Sequence, residues 1–124
     1  MLLPVSAPFH CALMKPAQDR LAVDLHALAF AKPDVPVVCN VDAARVTDAD
    51  PARNALIRQV TGSVKWEQSI HLLIASGIQT FVEVGPGKVL CGLMRQIDRS
   101  KTCLNVGDQV SLEKTLEKFM AVGA

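Results

Sequence analysis

The sequence has few aromatic residues: its 124 residues include four Phe, one Trp and no Tyr. Hydrophobic residues still make up 50% of the chain, which supplies enough apolar surface to fold and excludes a disordered chain. The core is therefore predicted to be aliphatic, built from Val, Leu, Ile and Ala. The length fits one ordinary domain over residues 1–124.

Strong net charge and long apolar runs are also missing. The formal charge of +1 gives no reason to expect nucleic acid or an anionic membrane as a partner. No apolar run approaches the ~20 residues that a membrane-spanning helix needs. The first four residues, Met1-Leu2-Leu3-Pro4, lack the basic start and long apolar stretch of a secretory signal. We therefore predict a cytoplasmic protein.

Closely spaced metal ligands are absent as well. The four cysteines contain no C-x-x-C pair, and the three histidines are not spaced as a cluster, so we predict no metal site. Cysteines that lie far apart in apolar surroundings are predicted to be buried, reduced thiols in such a chain; they are Cys11, Cys39, Cys91 and Cys103.

Predicted strands and helices alternate along the chain. Strands are predicted at residues 3–6, 35–41, 80–84 and 102–106, and helices at 12–29, 52–60, 66–76, 89–97 and 109–120. The strand at 35–41 is expected to be buried, and the polar residues 42–51 to form turns. The last helix is expected to bury the row Leu112, Leu116 and Phe119, with Asp108 or Ser111 as its cap. This order predicts an α/β fold with a parallel or mixed sheet of about four strands flanked by helices.

His10 stands between an apolar segment and the first predicted helix, in V-S-A-P-F-H-C-A-L-M. Because Pro8 biases Ala7 toward an extended conformation, His10 is predicted on a strand-to-helix turn that faces a cleft. A neutral imidazole there can take a proton from a nucleophile and return it near neutral pH. A capping or half-buried histidine without chemistry is the alternative that the spacing leaves open.

Two other segments carry candidate chemistry. Residues 83–90, E-V-G-P-G-K-V-L, predict a strand, a tight turn and a helix start, which either binds an anionic or carbonyl group or is a plain connection. Arg58-Gln59 ends a predicted helix, where a carbonyl oxygen is free to fix the tautomer of an imidazole; an exposed polar pair is the alternative. A nucleophile is missing, since none of the six serines has glycine two residues before and after it.

Five blocks in register resemble bacterial malonyl-CoA:acyl carrier protein transacylases. They are V-S-A-P-F-H-C-A-L-M, P-V-V-C-N-V-D, L-I-R-Q-V, V-K-W and E-V-G-P-G-K-V-L-C-G-L. The resemblance implies the C-terminal portion of the α/β-hydrolase-like large domain of acyl transferases, without the ferredoxin-like subdomain. It also implies transfer of malonyl from malonyl-CoA to the phosphopantetheine thiol of acyl carrier protein, in fatty acid biosynthesis, by ping-pong serine–histidine chemistry. Malonyl-CoA is a substrate in this reaction, and no cofactor is implied.

Carried over by position, His10 matches the catalytic histidine of the family, and Gln59 matches the residue whose main-chain carbonyl orients it. Phe9 is implied as a substrate-binding residue, because related polyketide acyltransferase domains carry Phe there when they take malonyl and Ser when they take methylmalonyl. The nucleophilic serine and the carboxylate-binding arginine belong upstream of Met1. An N-terminal half is therefore an implied partner, and the isolated chain is predicted not to transfer malonyl.

Two other functions stay open. The first is a non-catalytic module that binds an acidic acyl carrier protein through a basic cluster formed by Lys15, Arg20, Lys88, Arg95 and Arg99. The second is a truncated, inactive fragment, in which strands without their partners form exposed edges.

Overall fold

A computed structural model describes residues 7–122, so the strand predicted at residues 3–6 lies outside the described residues. Within the described range the chain is α/β and divides between Leu72 and Leu73 into two compact units. None of the helices in this range has both the length and the apolar composition needed to span a bilayer.

The first unit holds two helices and a hairpin. Its elements are a 3₁₀ turn at Ala12–Met14, then α1 (Lys15–Ala27), β1 (Val37–Cys39), β2 (Ala44–Val46) and α2 (Ala49–Arg58); α3 (Trp66–Ala75) crosses into the second unit. The helix predicted at 12–29 is confirmed in position, with a 3₁₀ start and an end at Ala27. Pro16 lies in the first turn of α1, where its missing N–H leaves no intrahelical bond unmade.

The hairpin differs from what the sequence predicted. Strand β1 is three residues long, and Val37 is 45% exposed, so the prediction of a buried strand over 35–41 is wrong. Strand β2 lies in the segment predicted to form turns and pairs antiparallel with β1. The turn closes through a hydrogen bond from Ala43 N to Cys39 O (2.9 Å), with Ala43 at a φ of 50°. This left-handed conformation is uncommon for a residue other than glycine. The sequence therefore gives no glycine signal for the hairpin turn.

Arg53 of α2 ties the end of α1 to α2. Its guanidinium donates to the carbonyl oxygens of Leu25 (3.1 Å) and Leu28 (3.4 Å). It also pairs with Asp50 at 2.6 Å and lies 4.9 Å from the ring centroid of Phe30. The last carbonyls of a helix lack intrahelical donors and favour a cation, so one side chain satisfies the end of α1 and holds that helix on α2.

The second unit is built on a β–α–β crossover. Strands β3 (Thr80–Val84) and β4 (Thr102–Val106) pair in parallel, with Thr80 opposite Thr102 and Val84 opposite Val106. Parallel strands need a crossover connection, here α4 (Val89–Ile97), and α5 (Gln109–Val122) follows β4. The predictions for β3, α4, β4 and α5 are confirmed. The prediction of one sheet of about four strands is wrong for the described residues, which form two separate pairs.

Helix α5 begins at a reciprocal cap that uses both predicted residues. The N–H of Ser111 donates to the carboxylate of Asp108 (2.8 Å), and Ser111 Oγ accepts from the N–H groups of Gly107 and Asp108. The hydrogen bond that Ser111 Oγ donates to the carboxylate of Asp108 (2.6 Å), together with the one from the Ser111 N–H, holds the pKa of Asp108 below its usual range. The predicted burial of the apolar row of α5 is wrong, since Leu112, Leu116 and Phe119 are exposed, and among the described side chains of this helix Thr115 is the buried one.

A disulfide links α4 to β4. Cys91 and Cys103 lie 12 residues apart, and the crossover brings their Cα atoms to 5.6 Å, within the range that a disulfide spans. The prediction that all four cysteines are reduced is therefore wrong for this pair. Cys11 and Cys39 are free and half-buried.

Candidate active site

His10 occupies a left-handed backbone position in the turn before α1. Its φ is 55°, a conformation that costs energy in most residues and that concentrates at functional sites. Two short-range hydrogen bonds hold the turn: Phe9 N donates to Ala7 O (3.0 Å), and Cys11 Sγ donates to Pro8 O (3.2 Å). The turn leaves the imidazole exposed, so it is open to a reacting group.

The imidazole of His10 contacts the end of α2. Its Nδ1 lies 2.8 Å from the main-chain oxygen of Gln59. Because a carbonyl oxygen only accepts, Nδ1 carries the proton, and the neutral ring keeps Nε2 unprotonated. The structure thus brings together two residues 49 positions apart, and it aims the proton-accepting nitrogen away from the carbonyl. Phe9, the third predicted site residue, adjoins His10 and is 62% exposed.

The local fold explains why the carbonyl of Gln59 faces the ring. Helix α2 ends at Arg58, and Gln59 is its C-cap residue. The following turn supplies donors for the preceding carbonyls, from Val60 N to Ile57 O (3.4 Å) and from Gly62 N to Arg58 O (3.0 Å). The oxygen of Gln59 is left for a side-chain donor, which is the usual situation for the last carbonyls of a helix.

An ion pair holds the residue before Gln59. Arg58 donates two hydrogen bonds to the carboxylate of Asp42, at 2.8 and 2.5 Å. The guanidinium lowers the pKa of Asp42, and the carboxylate raises the pKa of Arg58. Burial, with a smaller contribution from Asp42, raises the pKa of the Cys39 thiol. The sequence predicts turns over residues 42–51, and the spacing of Asp42 from Arg58 gives no signal of this pairing.

A second contact links α1 to the segment after α2. Thr61 Oγ1 donates to Gln18 Oε1 at 2.6 Å, so α1 and the turn after Gln59 are joined directly. Together with the Arg53 contacts, this bond fixes the helix that follows His10 relative to the helix that ends before Gln59.

The glycine–proline–glycine segment is satisfied by its own chain. The carboxylate of Glu83 accepts hydrogen bonds from the N–H groups of Leu90 (3.0 Å) and Cys91 (2.9 Å) at the start of α4. The side-chain amide of Asn105 donates to Gly87 O (2.6 Å). Two N–H groups that a bound anion would use are therefore occupied. This favours a plain strand-to-helix connection over a loop that binds an anionic or carbonyl group.

Comparison with known proteins gives a consistent set of relatives. No protein-family model matches the chain. The malonyl CoA-acyl carrier protein transacylase of Salmonella typhimurium is 47% identical over 114 residues, which are 92% of this chain and 37% of the relative. The transacylase of Bacillus subtilis is 42% identical and covers 93% of this chain and 36% of the relative. The chain thus spans little more than a third of the length of these relatives.

Solved structures agree. The malonyl CoA-acyl carrier protein transacylase from Clostridium perfringens superposes with a TM-score of 0.90 at 39% identity, covering 99% of this chain and 39% of that one. A malonyl-transacylase solved in complex with a type II PKS acyl-carrier protein superposes with a TM-score of 0.86 at 42% identity. The match covers 94% of this chain and 38% of that one.

By its α/β fold, the chain is similar to part of these acyl transferases. Within that class, it is homologous to the C-terminal part of the malonyl CoA-acyl carrier protein transacylases.

Proposed function

We propose that this chain supplies the histidine half of a malonyl-transfer site. The observation that carries the proposal is the 2.8 Å contact between His10 Nδ1 and Gln59 O. In a serine–histidine pair the second ring nitrogen needs a fixed partner, which a carboxylate provides in other hydrolases and transferases. Here the main-chain oxygen takes that position, and Nε2 is the general base.

The proposed reaction has two transfers. Nε2 of His10 takes the proton of a serine hydroxyl as the serine oxygen attacks the thioester carbonyl of malonyl-CoA. The carbon–sulfur bond then breaks, and the imidazolium returns its proton to the departing coenzyme A thiolate. In the second transfer the same nitrogen takes the proton of the phosphopantetheine thiol of acyl carrier protein, whose sulfur attacks the malonyl-serine ester. The carbon–oxygen bond of the ester then breaks, and the imidazolium returns its proton to the serine oxygen. The products are malonyl-acyl carrier protein and the free serine.

The serine and the arginine that pairs with the malonyl carboxylate are proposed to lie in the part of the relatives that this chain does not cover. Exposed apolar side chains support a covering segment of that kind. Leu13, Val84 and Val89 are 75%, 81% and 71% exposed, which is unfavourable for large aliphatic residues left in water. Residues 1–124 are then one part of an acyltransferase domain, and the chain alone should not turn over malonyl-CoA.

A chimera tests the proposal directly. This chain is joined to the upstream part of the Salmonella typhimurium relative, in place of the corresponding C-terminal part. The chimera should transfer malonyl from malonyl-CoA to acyl carrier protein. His10→Ala should lower its kcat by about 100- to 10,000-fold, the usual contribution of a general base.

Gln59→Ala is the matched control, because it removes a side chain but keeps the main-chain oxygen that accepts the hydrogen bond. Its rate should stay close to that of the parent chimera. A folded chimera without transferase activity, or one whose rate survives His10→Ala, would refute the assignment. Turnover by the isolated 124-residue chain would refute the proposal that the serine lies elsewhere.

Phe9 is proposed to restrict the acyl group. Its ring is exposed beside His10, where it would crowd a methyl branch on the α-carbon of the acyl chain. In the chimera, Phe9→Ser should raise kcat/KM for methylmalonyl-CoA relative to malonyl-CoA. An unchanged ratio would exclude this role.

The reaction as proposed needs no metal or organic cofactor, since each step is a proton transfer or an acyl transfer between oxygen and sulfur. We place it in the cytoplasm, as the step that provides malonyl units for fatty acid biosynthesis. Dialysis of the active chimera against a metal chelator should leave its rate unchanged, and a loss restored by added metal would contradict this.

A further inference from the structure

The second unit contains a basic cleft whose lining includes the disulfide. The cleft lies between α4 and α5 over β4 and has a volume of about 470 Å³. Both disulfide cysteines line it, and so do four cationic side chains against one carboxylate, that of Asp108. The cations are Lys88, Arg95, Lys114 and Lys118.

Within the described residues these cations form no close ion pair, although Lys88 and Lys114 act electrostatically on Asp108. Across the residues that the structure describes, none of the four has a carboxylate within ion-pair distance. The carboxylate of Asp108 is committed to the cap of α5. A cleft lined by one sign of charge concentrates ligands of the opposite sign, so this one favours small anions.

The disulfide gives such an anion something to react with. Cys91 is 4% exposed, whereas Cys103 is half-buried, so Cys103 is the more accessible residue of the pair. The reduced form is also accommodated, because Cys91 Sγ lies 3.3 Å from the carbonyl oxygen of Leu104. A thiol formed at Cys91 therefore has an acceptor for its proton close by.

We propose that this cleft is a thiol–disulfide exchange site at which small anionic thiols reduce the Cys91–Cys103 disulfide. A thiolate attacks Cys103 Sγ, the Cys91–Cys103 bond breaks, and Cys91 leaves as a thiolate that takes a proton. A second thiolate attacks the sulfur of the bound thiol, which releases Cys103. The balance is one protein disulfide and two thiols giving two protein thiols and one small disulfide. Anionic peptide thiols such as glutathione and phosphorylated thiols such as coenzyme A share this chemistry. The proposal does not depend on malonyl transfer, since it uses none of the residues of the His10 site.

The test compares thiols of different charge on the full chain. The air-oxidised protein is first alkylated and its mass is measured by mass spectrometry, to show that Cys91 and Cys103 are linked. Rate constants for reduction are then measured with anionic glutathione and with cationic cysteamine, each corrected to its thiolate concentration. In the variant Arg95→Gln/Lys114→Gln/Lys118→Gln, the ratio of the glutathione rate to the cysteamine rate should fall at least about tenfold.

The matched control removes three cations from the first unit, in Arg20→Gln/Lys32→Gln/Arg45→Gln, and should keep the ratio of the native protein. High salt tests the same attraction without a variant. At about 1 M the screening length is only about 3 Å, so the ratio of the glutathione rate to the cysteamine rate should fall in the native protein as well. A third measurement with coenzyme A distinguishes the two classes of anionic thiol. A rate above that of glutathione, lost in the cleft variant, identifies a phosphorylated thiol as the ligand. Equal rates identify anionic thiols in general. Absence of the disulfide from the oxidised protein, or a ratio that neither the cleft variant nor salt lowers, would overturn the proposal.

Discussion

The position of the carbonyl that holds the imidazole depends on a glycine three residues further along the chain. A methyl group placed on Gly62 would lie 2.6 Å from Cγ2 of Val41 and 3.0 Å from the main-chain oxygen of Arg58. Neither neighbour can give way easily, because Val41 is branched at Cβ and the second contact is with backbone. We therefore expect Gly62→Ala to displace the turn that presents Gln59 O to His10.

The size of the effect follows from two opposing contributions. Overpacking costs about 1–3 kcal/mol, whereas the stiffer unfolded chain of an alanine variant contributes about 0.4–1 kcal/mol in the other direction. Gly62→Ala should therefore lower the free energy of unfolding by about 1 kcal/mol, within a range of about 0–2.6 kcal/mol. The measurement is urea denaturation with linear extrapolation.

A nitrogen-detected NMR experiment on the imidazole reports the site itself. In the native protein His10 should be the Nδ1-protonated tautomer, and in Gly62→Ala the two tautomers should become mixed. Gly92→Ala is the matched control: Gly92 lies inside α4 with no atom within 4 Å of the added carbon, so alanine should stabilise by about 1 kcal/mol. If Gly62→Ala stabilises as well, or leaves the His10 tautomer unchanged, the reasoning is refuted.

Three further outcomes are expected. Reduction of the Cys91–Cys103 disulfide should lower the free energy of unfolding by about 3 kcal/mol, the loop-closure entropy for a separation of 12 residues; equal denaturation curves with and without reductant would contradict this. The cap hydrogen bonds lower the pKa of Asp108 in the folded state, so its contribution is present at neutral pH and is lost as the pH falls through the lowered pKa. Asp108→Asn should remove that part of the acid sensitivity in urea unfolding measured from neutral to acidic pH, and an unchanged profile would show that the cap is not responsible. Because burial raises the pKa of Cys39, its alkylation should need a higher pH than that of free glutathione, and coincident pH–rate profiles by mass spectrometry would exclude it.

The parts of the fold that could be predicted are those with strong local signals. A β-branched run, a glycine–proline–glycine turn and an apolar helix follow one another from Thr80 to Ile97, and the structure has them in these places. Gly77 likewise adopts a φ of 90° after α3, as expected for a glycine that ends a helix. Strand β2 has only three residues and forms because its partner is close, which a local pattern does not contain.

Burial and side-chain pairing could not be predicted in the same way. Periodicity correctly aligns Leu112 and Leu116 on one face of α5, but it does not state which segment covers that face. The Cys91–Cys103 bond depends on how α4 returns over β4, and the spacing of the two cysteines matches no motif. The pairing of His10 with Gln59 rests on the family resemblance, since 49 residues separate them and neither position alone indicates the other.

Arg53 carries a consequence for sequence variation in this part of the protein. Its planar fork reaches two carbonyl oxygens while its flat face covers Phe30, and a lysine ammonium cannot reproduce that geometry. Position 53 should therefore tolerate very little exchange, even to another basic residue, although Arg53 donates no hydrogen bond to His10. Arg53 holds the C-terminal end of α1, the helix that follows His10. A change at position 53 should therefore disturb the placement of the imidazole from the opposite end of that helix.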